Sequence, residues 1–358
     1  MKGRTKIDFT GQDFYIGLDV HKNNWRVSIY TNEFEHKTFT QDPNPQILIN
    51  YLHHHFPGAN YHSVYEAGYC GFWIHDALAQ AGIDSIVVNP ADVPTKDKER
   101  KRKNNRVDAR KLARSLRSND LDAIYIPTQA EREDRQLIRT RRNTSKETKR
   151  YMNQIKAFLQ YHGIKIPQQF SKRNWSGAFI AWLKQVKFSE PTGTKAFRFH
   201  IEELIHFRQR LAELNREIRQ LSKTERYHQK VKLLLSIPGI GLISAMILLT
   251  ELMDMNRFKN LDELAAFVGL VPGEYSSGDD DDVNVTGISS RGNRYLRSIL
   301  IECAWVAIKK DPALMHYYNN LIKRMAGQKA IVRVARKLLN RIRFVLQNNQ
   351  EYQLAVVE

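Results

Sequence analysis

The first hundred or so residues alternate between short apolar runs and stretches with helical spacing. Residues 14–20 are apolar, residues 25–30 alternate apolar and polar positions, and residues 35–40 allow a third strand. Because period-two alternation is typical of half-buried strands, we predict three consecutive strands, the first two forming a hairpin. Apolar residues at helical spacing then predict a helix over 45–56.

Strands and helices alternate in the next part of the chain. Residues 62–67 and 84–89 predict strands, and residues 71–81 and 108–116 predict helices. Three strands in series followed by this alternation predict a mixed sheet flanked by helices, an α/β domain.

Two long stretches rich in Arg, Lys, Glu, Gln and Leu follow, at residues 130–162 and 195–227. Few turn signals interrupt them, so each predicts a long helix. The second could pair with the first or with another protomer, and residues 167–194 between them read as a loop or short connector. Its apolar positions approach the three-four alternation of a coiled coil: Ile201, Leu204, Ile205, Phe207, Leu211, Leu214, Ile218 and Leu221.

From Val231 onward the chain is again helical and apolar, and turn signals at Pro238-Gly239 and Pro272-Gly273 interrupt it. This part predicts a mostly helical third domain. We expect an N-terminal tail over 1–13, the α/β domain over 14–128, a coiled-coil helical region over 129–230, the third domain over 231–345 and a C-terminal tail over 346–358.

The charge balance narrows the choice of partners. The chain of 358 residues has 56 Lys and Arg against 38 Asp and Glu, a net charge of +18, which favours nucleic acid or an acidic membrane surface. No membrane span or signal peptide is evident, so we expect a soluble, cytoplasmic protein. Cys70 and Cys303 are too few for a disulfide framework or a cysteine zinc site.

Three carboxylates stand where divalent cations could be held. Asp19 and Glu66 end predicted strands, at positions where a strand interior is normally apolar, and Asp108 opens a predicted helix. Carboxylates that converge at strand ends can bind two cations, which suits phosphodiester chemistry. Taken singly, Asp19 and Asp108 are as well explained by a turn residue and a helix cap; taken together, the three favour a metal site.

Basic residues crowd the same region. Residues 96–117 hold eleven Lys and Arg against three acids. The run could simply be a solvent-exposed charged stretch. A positive field beside candidate metal ligands is, however, also suited to binding a phosphate backbone. The predicted contacts are Lys101, Arg102, Lys103, Arg106 and Arg110.

The third domain offers further candidates. Residues 235–241 resemble a helix-hairpin-helix turn, in which Gly239 and Gly241 would present backbone N–H groups to phosphate, although Pro-Gly also marks any tight turn. Residues 275–278 place hydroxyl groups in a loop, and Asp279 to Asp282 form a solvated turn or a cation site. Residues 289–297 form a basic loop entering a helix, in which Arg291 and Arg294 could hold phosphate.

Short motifs in a fixed order carry a family resemblance over most of the chain. They are Gly17-Leu18-Asp19-Val20-His21-Lys22, Tyr65-Glu66-Ala67-Gly68, Val88-Asn89-Pro90, Asn105-Arg106-Val107-Asp108-Ala109-Arg110-Lys111-Leu112-Ala113, Ser236-Ile237-Pro238-Gly239-Ile240-Gly241, and Phe267-Val268-Gly269-Leu270-Val271-Pro272 with Tyr275-Ser276-Ser277-Gly278 beyond. In these motifs the chain resembles the DEDD transposases of insertion sequences, whose relatives include the Piv/MooV DNA invertases and whose studied members are guided by a bridge RNA.

The resemblance implies an RNase H-like (RuvC-like) nuclease domain, a coiled-coil region and a C-terminal transposase domain. The family's acidic tetrad falls on Asp19, Glu66, Asn105 and Asp108, where Asn105 departs from the pattern and can offer only a neutral carbonyl oxygen. The family's catalytic serine falls on Ser277, beside Ser276. Its implied role is attack on a DNA phosphate to give a phosphoserine link, while the metal site cradles the same phosphate.

These expectations together describe a recombinase acting on double-stranded DNA with Mg²⁺ or Mn²⁺ and a structured guide RNA. A dimer or tetramer assembled through the long helices is expected, because strand exchange at two sites needs more than one active centre. Two alternatives stay open. A Holliday-junction nuclease would use the same carboxylates with water as nucleophile, and an inactive nucleic-acid-binding regulator would explain the charge equally well.

Overall fold

The chain folds into two compact units, Met1–Ile126 and Pro127–Glu358. The structure, a computed structural model, describes residues 8–94, 105–170, 175–275, 284–288 and 292–354.

The first unit is built on a mixed five-stranded sheet with the strand order β3-β2-β1-β4-β5. Its members are β1 (Asp13–Val20), β2 (Trp25–Tyr30), β3 (Glu35–Gln41), β4 (Asn60–Glu66) and β5 (Asp84–Val88). The first three strands pair antiparallel, whereas β4 joins β1 and β5 in parallel. The mixed sheet predicted from the sequence is confirmed, with small shifts at the strand ends.

Helices cover both faces of this sheet. On one face, α1 (Pro45–His55) and α2 (Trp73–Gln80) bury Leu52 and Leu78 against the apolar side of the central strand. On the other face, α3 (Asn105–Arg117) forms a smaller cluster through Leu112, which packs with Val64 of β4. A central strand covered on both faces positions the residues at its carboxyl end at the rim of the sheet.

Two long helices open the second unit. They are α4 (Gln129–Tyr161), which starts at a capping box made by Thr128 and Glu131, and α6 (Pro191–Leu221). The two pack along one another, and the apolar stripe of α6 is buried at Ile201 and Leu204. Of the two pairings left open by the sequence, the structure therefore places α6 against α4 of the same chain.

The connector expected over 167–194 is wrong in its secondary structure. It contains the helix α5 (Gly177–Gln185), and α6 already begins at Pro191. Ser176 caps α5 by accepting a hydrogen bond from the backbone N–H of Phe179, and Phe179 itself is fully buried. Six of the nine residues of α5 are apolar, but a run this short and this uniformly apolar does not show the periodicity that distinguishes a helix from a connector.

The rest of the second unit surrounds one very apolar helix. Every residue from 245 to 252 in α8 (Leu242–Leu252) is buried, and Glu251 is among them. Around it lie α7 (His228–Leu235), α9 (Leu261–Val268), α10 (Arg294–Ala307), α11 (Pro312–Ile322) and α12 (Gly327–Asn348), with a hairpin of β6 (Pro272–Tyr275) and β7 (Asn284–Ile288). In the described part of the chain, no helix combines the length and apolar character needed to cross a membrane.

Candidate active site

Asp19 lies near the carboxyl end of the central strand, on the face that α3 covers. Ile16 and Leu18 are fully buried in the α1/α2 core, and alternation along the strand turns Gly17 and Asp19 to the opposite side. A Cβ atom at Gly17 would lie 2.1 Å from the carbonyl oxygen of Ala109 in α3. The glycine therefore allows α3 to approach the strand backbone and brings Asp108, the neighbour of Ala109, towards Asp19.

Glu66 ends the neighbouring parallel strand. The printed register of β1 and β4 ends with Leu18 opposite Tyr65, so Asp19 and Glu66 are the next residues of the two strands. Residues in register share a face, and Val64, two positions before Glu66, packs against Leu112 of α3. Asp19 and Glu66 thus end neighbouring strands at one rim of the sheet, and Asp108 lies in the first turn of α3, which packs against β1.

The electrostatics of Asp19 are those of a carboxylate whose burial is only partly offset by nearby positive groups. Burial raises the pKa of Asp19 above its usual range, the charge of Asp108 raises it further, and His21 and Arg26 act in the opposite direction. Asp19 Oδ2 lies 3.2 Å from His21 Nε2, yet neither atom makes a hydrogen bond within the described residues. A buried carboxylate oxygen without a donor is costly, and a divalent cation would stabilise it.

The donor set fits a hard cation, although it is incomplete in the structure. Within the described residues, no three His, Cys, Asp or Glu side chains stand together closely enough to hold a metal ion. Asn105 begins α3, and its side chain lies outside the described residues. The oxygen donors suit Mg²⁺ or Mn²⁺. The observation that supports a cation there is Asp19 Oδ2, which is buried and accepts no hydrogen bond within the described residues, although His21 Nε2 lies 3.2 Å away.

The predicted phosphate contacts of the first unit differ in how far the structure describes them. Lys101, Arg102 and Lys103 lie outside the described residues, and of Arg106 only the helical backbone is described. Arg110 donates from Nε to Glu35 Oε1 at 2.7 Å. This ion pair links α3 to the edge strand β3. Arg110 could contact DNA only by breaking its partly exposed pair with Glu35.

The predicted glycines of the second unit have different surroundings. Gly239 has φ +90°, and a Cβ there would lie 2.4 Å from the carbonyl oxygen of Cys303. Gly239 therefore serves the packing of the turn against α10. Gly241 is the N-cap residue of α8 and is exposed. A Cβ there would meet no other atom, so no neighbouring element covers the chain at this point.

The predicted serine lies between the two strands of the hairpin. Ser277, Ser276 and the acidic run from Asp279 to Asp282 are outside the described residues, as is Arg291. Both ends of the hairpin are described, since β6 pairs with β7 from Pro272 to Tyr275. Arg294 is exposed at the first position of α10.

A buried ionic cluster fixes the chain where it returns from this hairpin. Glu251, 2% exposed, accepts hydrogen bonds from Arg139 Nε at 2.7 Å and from Arg139 Nη2 at 2.9 Å. Its Oε2 also accepts a hydrogen bond from Asn293 Nδ2 at 2.9 Å. Asn293 in turn caps α10 by accepting from the backbone N–H groups of Tyr295 and Leu296. The cluster therefore links α4, α8 and α10.

Sequence reasoning missed this cluster. Burial would raise the pKa of Glu251, but the hydrogen bonds and charge of Arg139, aided by Asn293 and Arg135, hold that pKa below its usual range. The available signal was a single acid in an otherwise apolar helical run, Leu242 to Leu252. A buried carboxylate needs a partner, but the sequence does not say which of the many arginines supplies it.

Removing the arginine of this pair should destabilise the second unit. Arg139→Met leaves the buried Glu251 carboxylate without its cation. Because Arg139 itself is 43% exposed, we expect a loss of about 2–3 kcal/mol, below the cost of breaking a fully buried pair. Urea unfolding at neutral pH measures the loss. Without Arg139 the pKa of Glu251 rises, so the deficit should shrink as the pH falls and the carboxyl becomes protonated.

The matched control is Arg150→Met. Arg150 lies on the same helix and pairs with Glu147 at 3.0 Å, but both side chains are well exposed, so its removal should change the free energy of unfolding by less than about 1 kcal/mol. Equal effects of the two substitutions would show that the Glu251 pair does not hold the unit together.

The fold and this rim of carboxylates define a class. A sheet that carries acidic residues at the ends of central strands, in a strongly basic protein, is typical of enzymes that transfer phosphoryl groups on nucleic acids. Comparison with known proteins identifies the family within that class. A DEDD transposase model of the IS110 group matches residues 16–163, and the transposase IS116/IS110/IS902 family model matches residues 231–319.

Individual relatives agree with the family models. The chain is 31% identical to the transposase y4qE of Sinorhizobium fredii over 314 residues, which covers 85% of this chain and 73% of the relative. It is 26% identical to the transposase for insertion sequence element IS1111A of Coxiella burnetii, over 75% of this chain and 69% of the relative. The pilin gene-inverting protein of Moraxella lacunata is 23% identical, over 96% of this chain and 99% of the relative.

The chain belongs to the IS116/IS110/IS902 family of transposases. The resemblance drawn from the sequence motifs is thereby confirmed, as is the expectation of a DNA-recombining enzyme.

Proposed function

We propose that this transposase cuts and exchanges DNA strands by using Ser277 as the nucleophile and a divalent cation held by Asp19, Glu66 and Asp108. The observation that carries the proposal is Asp19 Oδ2, a buried oxygen that accepts no hydrogen bond within the described residues, on a carboxyl group whose pKa is raised by burial and by Asp108. Glu66 ends the neighbouring strand on the same face. In this proposal residues 14–128 form an RNase H-like (RuvC-like) domain, and Asn105 adds a neutral carbonyl ligand.

The proposed step exchanges one phosphate ester for another. Ser277 Oγ forms a bond to the DNA phosphorus, the ester bond to a deoxyribose oxygen breaks, and the serine proton passes to the departing sugar hydroxyl. A bound Mg²⁺ or Mn²⁺ would supply charge stabilisation for the pentacoordinate phosphate. Because the phosphate is transferred to serine and is not hydrolysed, the phosphoserine link keeps a phosphate ester that a second DNA strand can attack.

The grip on DNA is proposed to be distributed over both units. Lys101, Arg102, Lys103, Arg106 and Arg110 would contact the backbone near the carboxylates. In the second unit, the turn from α7 to α8 would act as a helix-hairpin-helix-like element. There the exposed N-terminus of α8 after Gly241 offers backbone donors to phosphate, and Gly239 keeps the turn close to α10. Arg291 and the exposed Arg294 would add contacts beside the hairpin.

The proposed partners are double-stranded DNA, a structured guide RNA and further copies of the chain. The net charge of +18 supports polyanionic partners. A homodimer or homotetramer is proposed because exchange of strands at two sites needs more than one nucleophile. Since the buried stripe of α6 faces α4 of the same chain, an assembly through a coiled coil of the long helices would use their exposed side chains, such as Phe199.

The test is a denaturing gel of the purified protein with labelled cognate DNA and its co-purifying RNA, in Mg²⁺ or in chelator. The expected result is a protein–DNA adduct that forms only with the cation. Cleavage without an adduct would instead favour a junction nuclease with water as nucleophile. Tight binding without cleavage or adduct would favour an inactive regulator.

A further inference from the structure

Three arginines of α4 lie along one face of the helix and interact with residues of α8 and α10. Arg135, Arg139 and Arg142 are spaced by four and three residues, which places them on one side of a helix. Arg139 is neutralised by Glu251. The guanidinium of Arg142 stacks over the ring of Tyr295, 4.0 Å from its centroid. Among the described residues, only Arg139 of these three is paired with a carboxylate, so this side of α4 carries a net positive charge.

Arg135 is the arginine of this row whose Nε lacks a hydrogen-bond acceptor within the described residues. That Nε atom is buried. Burial lowers the pKa of Arg135, the like charge of Arg139 lowers it further, and Glu251 opposes both. Glu251 already receives both hydrogen bonds of Arg139 and one of Asn293. The Nε atom of Arg135 is therefore already desolvated without having gained a hydrogen bond, which increases what the guanidinium gains from an incoming anion.

The row lies beside the segment that returns from the β6–β7 hairpin. Asn293 contacts Glu251 and caps α10, and its backbone N–H donates to the carbonyl of Phe267 at 2.8 Å. Gly292, with φ +94°, approaches the backbone of Gly269 so closely that a Cβ would lie 2.6 Å from its nitrogen. The arginine row is therefore fixed relative to the start of α10, where Arg294 is exposed.

We propose that Arg135 and Arg142 form a phosphate clamp for the backbone of double-stranded DNA beside the start of α10. The inference rests on the proposed function and names two contacts that it does not include. Guanidinium groups match phosphate in geometry and stay charged, and contacts to the backbone are independent of base sequence. Glu251 is the positioning residue, because it fixes Arg139, which lies between the two clamp arginines along α4, and Asn293, which caps α10.

The experiment measures binding of a labelled DNA duplex by fluorescence anisotropy over a series of KCl concentrations, with the full chain and its co-purifying RNA. Arg135→Gln should weaken binding by about tenfold and make the plot of log Kobs against log[KCl] shallower by about 0.9, the value for one lost phosphate contact. Arg142→Gln should act in the same direction. Arg150→Gln, the exposed and paired control on α4, should leave the slope unchanged.

A conservative variant distinguishes a loss of phosphate contacts from a loss of folding. Arg135→Lys keeps the charge but loses the paired donors, so it should keep the wild-type slope and bind several-fold more weakly. Wild-type affinity and slope in both Arg135 variants would overturn the clamp. A slope that changes with labelled co-purifying RNA but not with DNA would overturn it as well. Failure of the wild-type protein to bind DNA would instead defeat the proposed function.

Discussion

Replacing Ser277 by alanine is expected to abolish the covalent protein–DNA adduct and to lower recombination by a factor on the order of 10⁴ or more, the scale of losing a nucleophile. Alanine has no oxygen with which to form the phosphate ester. The measurement is the denaturing gel in Mg²⁺, with strand exchange followed in parallel.

Ser276→Ala is the matched control, since it removes a hydroxyl one residue away and leaves Ser277 in place. It should retain the adduct. The reverse outcome, an adduct lost only in Ser276→Ala, would move the nucleophile by one residue without changing the mechanism. A fully active Ser277→Ala would remove the covalent mechanism, whereas DNA affinity close to wild type would show that the substitution leaves the fold intact.

The architecture of the first unit could be predicted because its strands obey a simple period. β1 alternates between core positions such as Ile16 and the opposite face with Gly17 and Asp19, and this pattern is local. The sequence therefore places Asp19 and Glu66 at strand ends, whereas the parallel pairing that makes β1 and β4 neighbours is visible only in the fold. The family motifs agree with the same two residues.

Short or polar elements could not be found in this way. β6 and β7 contain four and five residues and include Pro272 and Gly273, which the sequence marks as a turn rather than as a strand. α5 has nine residues and lies between segments rich in turn formers. In both cases tertiary packing or pairing supplies the stability that local preference lacks.

The ionic cluster around Glu251 shows a different limit. A lone acid in a buried helix predicts that a cation exists, but Arg139 is 112 residues away and Asn293 is 42 residues away. Pairing over such separations depends on how α4, α8 and α10 pack, and periodicity carries no information about it. The same limit applies to Arg135, whose unmet hydrogen bond is visible only once its neighbours are placed.

Asp19→Asn is expected to abolish metal-dependent cleavage, with a loss of at least about 10³-fold, the upper range for removing one preorganised electrostatic group. The substitution keeps the shape of the side chain and removes the charge that a cation requires. DNA binding should stay nearly unchanged, because the carboxylate repels phosphate rather than attracting it. The first measurement is cleavage of labelled DNA over a range of Mg²⁺ concentrations.

The same substitution should not lower stability in the absence of metal. Because burial and Asp108 raise the pKa of Asp19 in the folded chain, its ionised form costs stability at neutral pH, and asparagine removes that cost. The melting temperature in chelator should therefore equal or exceed that of the wild type. Added Mg²⁺ should raise the wild-type melting temperature and leave that of Asp19→Asn unchanged.

Asp13→Asn provides the contrast at the other end of the same strand. Hydrogen bonds from His62 and Asn60 lower the pKa of Asp13, so its charge stabilises the fold above the carboxyl's ordinary pKa and is lost as the pH falls. Its replacement should lower the melting temperature and leave cleavage intact. If Asp19→Asn behaved like Asp13→Asn, with lower stability and full cleavage, Asp19 would be a structural residue and the metal site would have to lie elsewhere.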